Sequence, residues 1–221
     1  MVSLFNKNLA RNEKELWALA LSAPIIQINQ FRHEFLYGGK TKSTMISRCN
    51  FLERDWDIHS PKDLKSTLDW LEASGHKIEF MKKLSVLTTL SEQGCERYIA
   101  LFRKDFERYE QWKIANSYKL PLRNVGIAAW DIGRYVFLCR TGAVVGLIDE
   151  KEAWIRIREM APKAQMIFSG WEEYILSYFA GRQYWLGNST VDFAKEMKSV
   201  IAHLLVYEDS ILRNLDWETS L

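Results

Sequence analysis

The chain has 221 residues, 48% of them hydrophobic and 26% charged, a composition that suits one globular domain with a sizeable core. Thirty basic residues oppose 28 acidic ones, leaving a formal charge of +2. So small a surplus argues against nucleic acid or an anionic membrane as the partner.

Nine tryptophans and an aromatic share of 13% mean rings that either pack a core or face a partner. The cysteines are Cys49, Cys95 and Cys139, an odd number with no C-x-x-C spacing. Neither a disulfide framework nor a thiolate zinc site is suggested, and a reducing cytoplasm is the expected setting. The uncharged stretch from Leu16 to Phe31 holds Ser22, Pro24, Gln27, Asn29 and Gln30, too polar for a membrane span. Glu13 and Glu15 precede it where a signal peptide carries basic residues, so it reads as core helix.

In chain order, Asn12 with Glu15 forms a capping box. The helix it opens places Leu16, Leu19, Ala20 and Ala23 on one face. Pro24 kinks or restarts it, and a second helix is predicted to run to Gly38-Gly39. Residues 38–50, GGKTKSTMISRCN, read as a polar, basic, mobile loop. Ser60-Pro61-Lys62-Asp63 starts a helix with Leu64, Leu68 and Leu71 inward and Gly75 at its end. A helical segment from about 77 to 90 follows. Gly94 is expected to separate it from a long helix near 95–118 striped by Tyr98, Leu101, Phe102, Tyr109 and Trp112.

Pro121 breaks the chain. In the next predicted helix, about 124–140, only Asp131 and Arg134 are charged between Val125 and Cys139. A helix apolar nearly all round is normally buried. Asp149-x-x-Glu152 and Ser169-x-x-Glu172 cap two further helices, and Gly187 ends the second. The last helix spans about 190–208. No segment alternates apolar and polar residues between hairpin turns. The expected fold is all-α: a single compact multi-helix domain over residues 1–221, with a central apolar helix near 124–140.

The search for chemistry excludes more than it finds. Gly39-Lys40-Thr41 lacks the glycine a phosphate-binding loop needs five positions earlier, where Glu34 stands. His33, His59, His76 and His203 lie far apart, without metal-ligand spacing, and read as surface or capping residues. No metal or cofactor is expected. No nucleophile elbow occurs.

One constellation stands out. Asp131 and Arg134 share a helix face, and a charge there must be paired. Arg182 repeats the anomaly on the apolar stripe Tyr174/Ile175/Tyr178/Phe179/Trp185. One carboxylate satisfies one guanidinium bidentately, so a second anion is needed. Glu173, Asp55, or the phosphate or carboxylate of a ligand would supply it. The two readings are an ion-pair network that fixes helix register and a pocket for an anion. A third reading, nucleic-acid binding through Lys40, Lys42 and Arg48, would require a continuous basic face.

Several strings then become familiar together: Glu53-Arg54-Asp55-Trp56-Asp57-Ile58, Leu68-Asp69-Trp70-Leu71, Ala129-Trp130-Asp131-Ile132-Gly133-Arg134 with Arg140, Ile148-Asp149-Glu150, Trp171-Glu172-Glu173, and Gly181-Arg182 with Trp185. In order and spacing they resemble the bacterial family called domain of unknown function 1266, over roughly residues 50–190. Residues 1–49 are expected to form a helical segment packed on that core. The resemblance implies no activity. It does imply a polar and aromatic set: Asp55, Trp56, Trp130, Asp131, Arg134, Arg140, Glu173, Arg182 and Trp185. The expected function is a non-enzymatic interaction or regulatory module with a protein partner. The alternative is a hydrolase or transferase whose Arg/Asp pocket holds a small anionic substrate.

Overall fold

Local capping chemistry starts most of the helices. A computed structural model describes residues 9–10, 12–37 and 41–221. Asn12 Oδ1 accepts the Glu15 N–H at 2.9 Å and opens α1 (Glu13–Ala20). Pro24 falls in the first turn of α2 (Ala23–Ile28), which restarts after Leu21 and Ser22. This helix stops well short of Gly38-Gly39, because Gln30 takes a left-handed φ of 54°. Gly38, Gly39 and Lys40 lie outside the described residues.

The expected loop over 38–50 is in large part a helix. The Thr41 side chain accepts the Thr44 N–H at 3.1 Å, and α3 runs over Lys42–Trp56. Its only buried residue is Leu52, so its sequence shows little of the apolar stripe by which a helix is recognised.

Ser60 and Pro61 open α4 (Pro61–Ala73), and α5 (Lys77–Leu87) follows the turn at Gly75. Gly94 lies inside α6 (Glu92–Ala100), where its N–H donates to the capping Ser91 hydroxyl at 3.1 Å. The expected long helix 95–118 is therefore two helices. Residues 101–105 turn, Asp105 caps α7 (Phe106–Ser117), and Leu101 leaves the stripe at 74% exposure. Tyr98, Phe102 and Trp112 keep to it, with ring centroids 5.0–5.5 Å apart.

The central helix α8 is Ala128–Val145, shifted from the expected 124–140. Gly126, with φ 54°, still belongs to the preceding turn, and left-handed Gly146 ends the helix. Every residue from Ala128 to Val144 is buried. Six helices surround it: α2, α3, α4, α5, and the later α9 (Glu150–Ile167) and α10 (Trp171–Leu186). Asp149 caps α9, which continues through Pro162. The cap of α10 sits one residue later than predicted: Glu173, not Glu172, accepts both the N–H and the hydroxyl of Ser169, at 2.8 and 2.9 Å. The last helix, α11 (Val191–Val206), packs on α2 and α10. Among the described residues there is no strand, only an isolated bridge between Leu9 and Phe35.

Two groups of tryptophans divide the labour. Trp17, Trp171 and Trp217 pack with centroids 4.7–5.0 Å apart, and each indole N–H donates to a backbone carbonyl. That cluster ties the C-terminal segment to α1 and α10. The second group lies where α3, α8 and α10 meet. Gly181 allows the close approach of α10 to α8, since a Cβ there would sit 2.2 Å from the Trp130 Cβ.

Candidate functional site

Asp131 and Arg134 project from one stretch of α8 and then part company. The Asp131 side chain is fully buried and accepts two backbone N–H groups, from His76 at 3.1 Å and Lys77 at 2.9 Å. These are orphan donors at the N-terminus of α5, which has no side-chain cap of its own. Asp131 therefore caps α5 from a helix more than 50 residues further along, and its charge complements the dipole there. Gly75 lies against the carboxylate with φ 54°.

Arg134 is the cation beside it. Its guanidinium lies 4.1 Å from the Trp56 ring centroid, 4.6 Å from Trp130 and 5.9 Å from Trp185. Nη1 is 3.2 Å from His76 Nδ1, and that nitrogen is 3.4 Å from Asp131 Oδ1. The expected direct ion pair is not made: His76 lies between the two, and its Nδ1 can accept from Arg134 or donate to Asp131 but not both at once. Among the described residues no carboxylate comes within 4.0 Å of Arg134. Burial pulls its pKa down to about 10, with Asp131 opposing, so it stays charged at neutral pH. Three indole faces compensate it in part.

The remaining site residues scatter. Arg182 makes its ion pair with Glu196 of α11 at 3.4 Å. It reaches Arg134 only indirectly: both guanidiniums act on the buried Tyr178 phenol, whose pKa burial raises. Asp55 pairs with its neighbour Arg54 at the surface, and Glu173 is used in the α10 cap. Neither supplies the expected second anion.

Arg140, two turns beyond Arg134, forms a separate structural hub. It donates to the carbonyls of Arg32, Phe35 and Leu36 at 2.6–3.1 Å, to His33 O at 3.4 Å, and to the Ser22 hydroxyl at 2.9 Å. These acceptors are all neutral, and burial pushes its pKa down to about 9.

The Arg140-bound segment carries a pH-sensitive residue. His33 Nε2 pairs with Gln27 Oε1 at 3.2 Å, while the buried Nδ1 has no partner among the described residues. Burial, with Arg140 behind it, pushes the imidazole from 6.5 down to about 4. The unfolded chain then binds more protons than the folded one between those values, so stability falls as pH drops from 6.5 to 4. The expected loss is about 2–3 kcal/mol, and urea titrations of the parent and His33→Gln at both ends of the window check it. Equal losses in the two proteins would exclude His33 as the cause.

Sequence reasoning missed His76 and Trp70. The Trp70 ring meets the His76 ring edge-on at 5.1 Å and is 41% exposed; Trp185 is 51% exposed. A strip of contacts therefore runs Trp70, His76, Arg134, Trp130, Trp185. The signal for His76 was its place after Gly75, the left-handed residue that brings it beneath α8, but its partners are far away in sequence. Among the described residues, no group of three or more His, Cys, Asp or Glu is placed to hold a metal ion. No helix there is long and apolar enough to cross a membrane.

These features define an all-helical protein with a tryptophan-lined arginine at the meeting of three helices. Residues 51–217 match the family described as "Protein of unknown function (DUF1266)", and the chain belongs to that family. The match extends beyond the expected 50–190, taking in α11 and Trp217. Two relatives come from Escherichia coli strain K12. "Uncharacterized protein YbeR" is 28% identical over 78% of this chain and 72% of its own length. "Uncharacterized protein YbeU" is 27% identical over 82% and 76%. No solved structure matches.

Proposed function

We propose that this protein is a non-enzymatic interaction module, and that the strip from Trp70 to Trp185 is the face it presents to a protein partner. The observation that carries this reading is two half-exposed tryptophans flanking a largely buried arginine that has no carboxylate partner among the described residues. Tryptophan and arginine are the residues that most often dominate binding energy at protein interfaces. The buried indole N–H of Trp130, which has no acceptor among the described residues, adds a donor beside that cation. The hydrolase or transferase reading finds less support. It needs a free carboxylate, and Asp131, Asp55 and Glu173 are each engaged in caps or a local ion pair.

Photo-crosslinking in the bacterial cell tests the proposal. A benzophenone side chain at position 70 or 185 should give the same discrete adduct. The same group at Tyr207, an exposed ring beyond the far end of α11, should give none. The double variant Trp70→Ala/Trp185→Ala should lose the partner while keeping its helical circular dichroism. Adducts of equal yield at all three positions, or an unimpaired double variant, would refute the assignment.

A further inference from the structure

A second surface feature lies on the other side of α3. A groove of about 820 Å³ opens between α3 and the Asn29–Phe31 turn, with Phe51 and Phe137 among its lining. Smaller cavities of about 420 and 20 Å³ share Phe31 and Arg48 with it. Between them, the described residues lining the three include five charged ones, Arg32, Lys42, Arg48, Arg54 and Arg140, of which Arg48 alone lines all three. No acidic residue is among the described lining.

Three of these cations are already engaged. Arg32 pairs with Glu34, Arg54 with Asp55, and Arg140 with its ring of neutral acceptors. Arg48 differs. Its guanidinium lies 3.7 Å over the Phe31 ring and 5.6 Å from that of Phe137, and among the described residues it has neither an ion pair nor a hydrogen bond. The cation is partly buried, and burial pulls its pKa down to about 10. The Arg48 charge in turn disfavours that of the fully buried Arg140. Burial disfavours this charge, the Phe31 face offsets part of that cost, and an anion held at Arg48 would offset more of it and lessen the repulsion felt by Arg140.

The rings define the rest of the ligand. Phe31 and Phe137 are parallel within 5°, with centroids 6.4 Å apart, and Phe51 meets Phe137 edge-on at 5.5 Å. The groove falls within the size range of small-molecule sites, which are mostly apolar with a few fixed polar groups. A guanidinium fork suits a carboxylate or a phosphate, and ring faces suit a flat apolar body.

We propose that this groove binds a small organic anion, a carboxylate or phosphate joined to a planar apolar body, with Arg48 holding the head, the partly exposed Phe31 and Phe51 flanking the body and the buried Phe137 forming the floor. The site is separate from the tryptophan strip and does not depend on it. Lys42 stands near the mouth as a second, exposed cation.

Calorimetric titration of the full chain at constant ionic strength tests this with four probes: phenyl phosphate, benzoate, inorganic phosphate and benzyl alcohol. At least one aryl anion should bind more tightly than either the bare anion or the neutral alcohol by about tenfold or more. Saturation by phenyl phosphate alone identifies a phosphate site, and saturation by both aryl anions a general anion site. Arg48→Met should weaken binding by at least about tenfold and leave the melting temperature of the empty protein unchanged or higher. Arg48→Lys, with the charge but not the planar fork, should fall between. The proposal is overturned if benzyl alcohol or inorganic phosphate binds as well as the aryl anions, if no aryl anion saturates below about 1 mM, or if Arg48→Met binds like the parent. It is overturned equally if Arg48→Met melts lower with undiminished binding, which would make Arg48 a packing residue.

Discussion

Arg140→Met should lower the stability of this protein by about 3–5 kcal/mol, one of the two largest single-residue effects expected in the chain. Replacing a buried ion by an apolar residue of similar size is often neutral, because the cost of burying the charge disappears with it. The outcome here differs because the acceptors stay behind. The carbonyls of Arg32, Phe35 and Leu36 and the Ser22 hydroxyl converge on one guanidinium. A methionine would leave them facing apolar atoms, and each buried acceptor without a partner costs about 1–3 kcal/mol. Arg140→Lys keeps the charge but has three donors on one point, so it cannot serve four acceptors in a plane. It should lose about 2 kcal/mol. Urea denaturation followed by circular dichroism measures both. Amide exchange across residues 31–37 should rise first, because Arg140 holds four carbonyls of this segment to α8. A loss below about 1 kcal/mol for Arg140→Met would mean that water replaces the guanidinium at little cost.

Asp131→Ala comes next, at about 2–4 kcal/mol. It removes the acceptor of two N–H groups and the anion at the start of α5. Asp131→Asn keeps one acceptor oxygen and should lose about half as much. Gly75 supplies the internal control. A Cβ there would lie 2.2 Å from Asp131 Oδ2, and the residue already sits at a φ of 54°. Gly75→Ala thus carries both a collision and backbone strain, together about 1–3 kcal/mol. In the double variant with Asp131→Ala the collision is gone. The two losses should then sum to more than the loss measured, and a double-mutant cycle reports the difference. Strict additivity would mean that the carboxylate does not rest against Gly75. The cycle also bears on the tryptophan strip, since His76 is carried by the same turn and contacts Arg134.

Several features of this architecture were legible before any tertiary contact was considered. Asn12, Ser60 and Asp149 announce helix starts, because a cap is a contact between a side chain and a backbone group two or three residues away. The apolar run around Asp131 and Arg134 announces a buried helix, because burial on every side leaves no polar face. The resemblance picked out the same helix and correctly named the family. What failed locally was weakly patterned. Residues 42–50 expose most of their side chains and so carry no stripe, although Thr41 caps them as a helix. The 95–118 stripe is strong enough to hide the turn at 101–105, which depends on the Asp105 cap.

The partners of the charged residues belong to the tertiary structure alone. By itself the sequence marked Asp131, Arg134 and Arg182 as charges that burial would force to find compensation, and the family resemblance added Arg140. It led to the expectation of a common answer, an ion-pair network or a shared anion. The packing provides four separate ones: two backbone N–H groups of a distant helix, a histidine with three indole faces, a ring of carbonyls, and Glu196. Every residue except proline carries an N–H and every residue a carbonyl, so a charge satisfied by backbone leaves no complementary residue to find. Periodicity determines which face of a helix is buried. Which backbone or ring meets that face is decided only when the helices pack, and for Asp131 and Arg134 that decision turned one predicted pair into a helix cap and a cation beneath tryptophans.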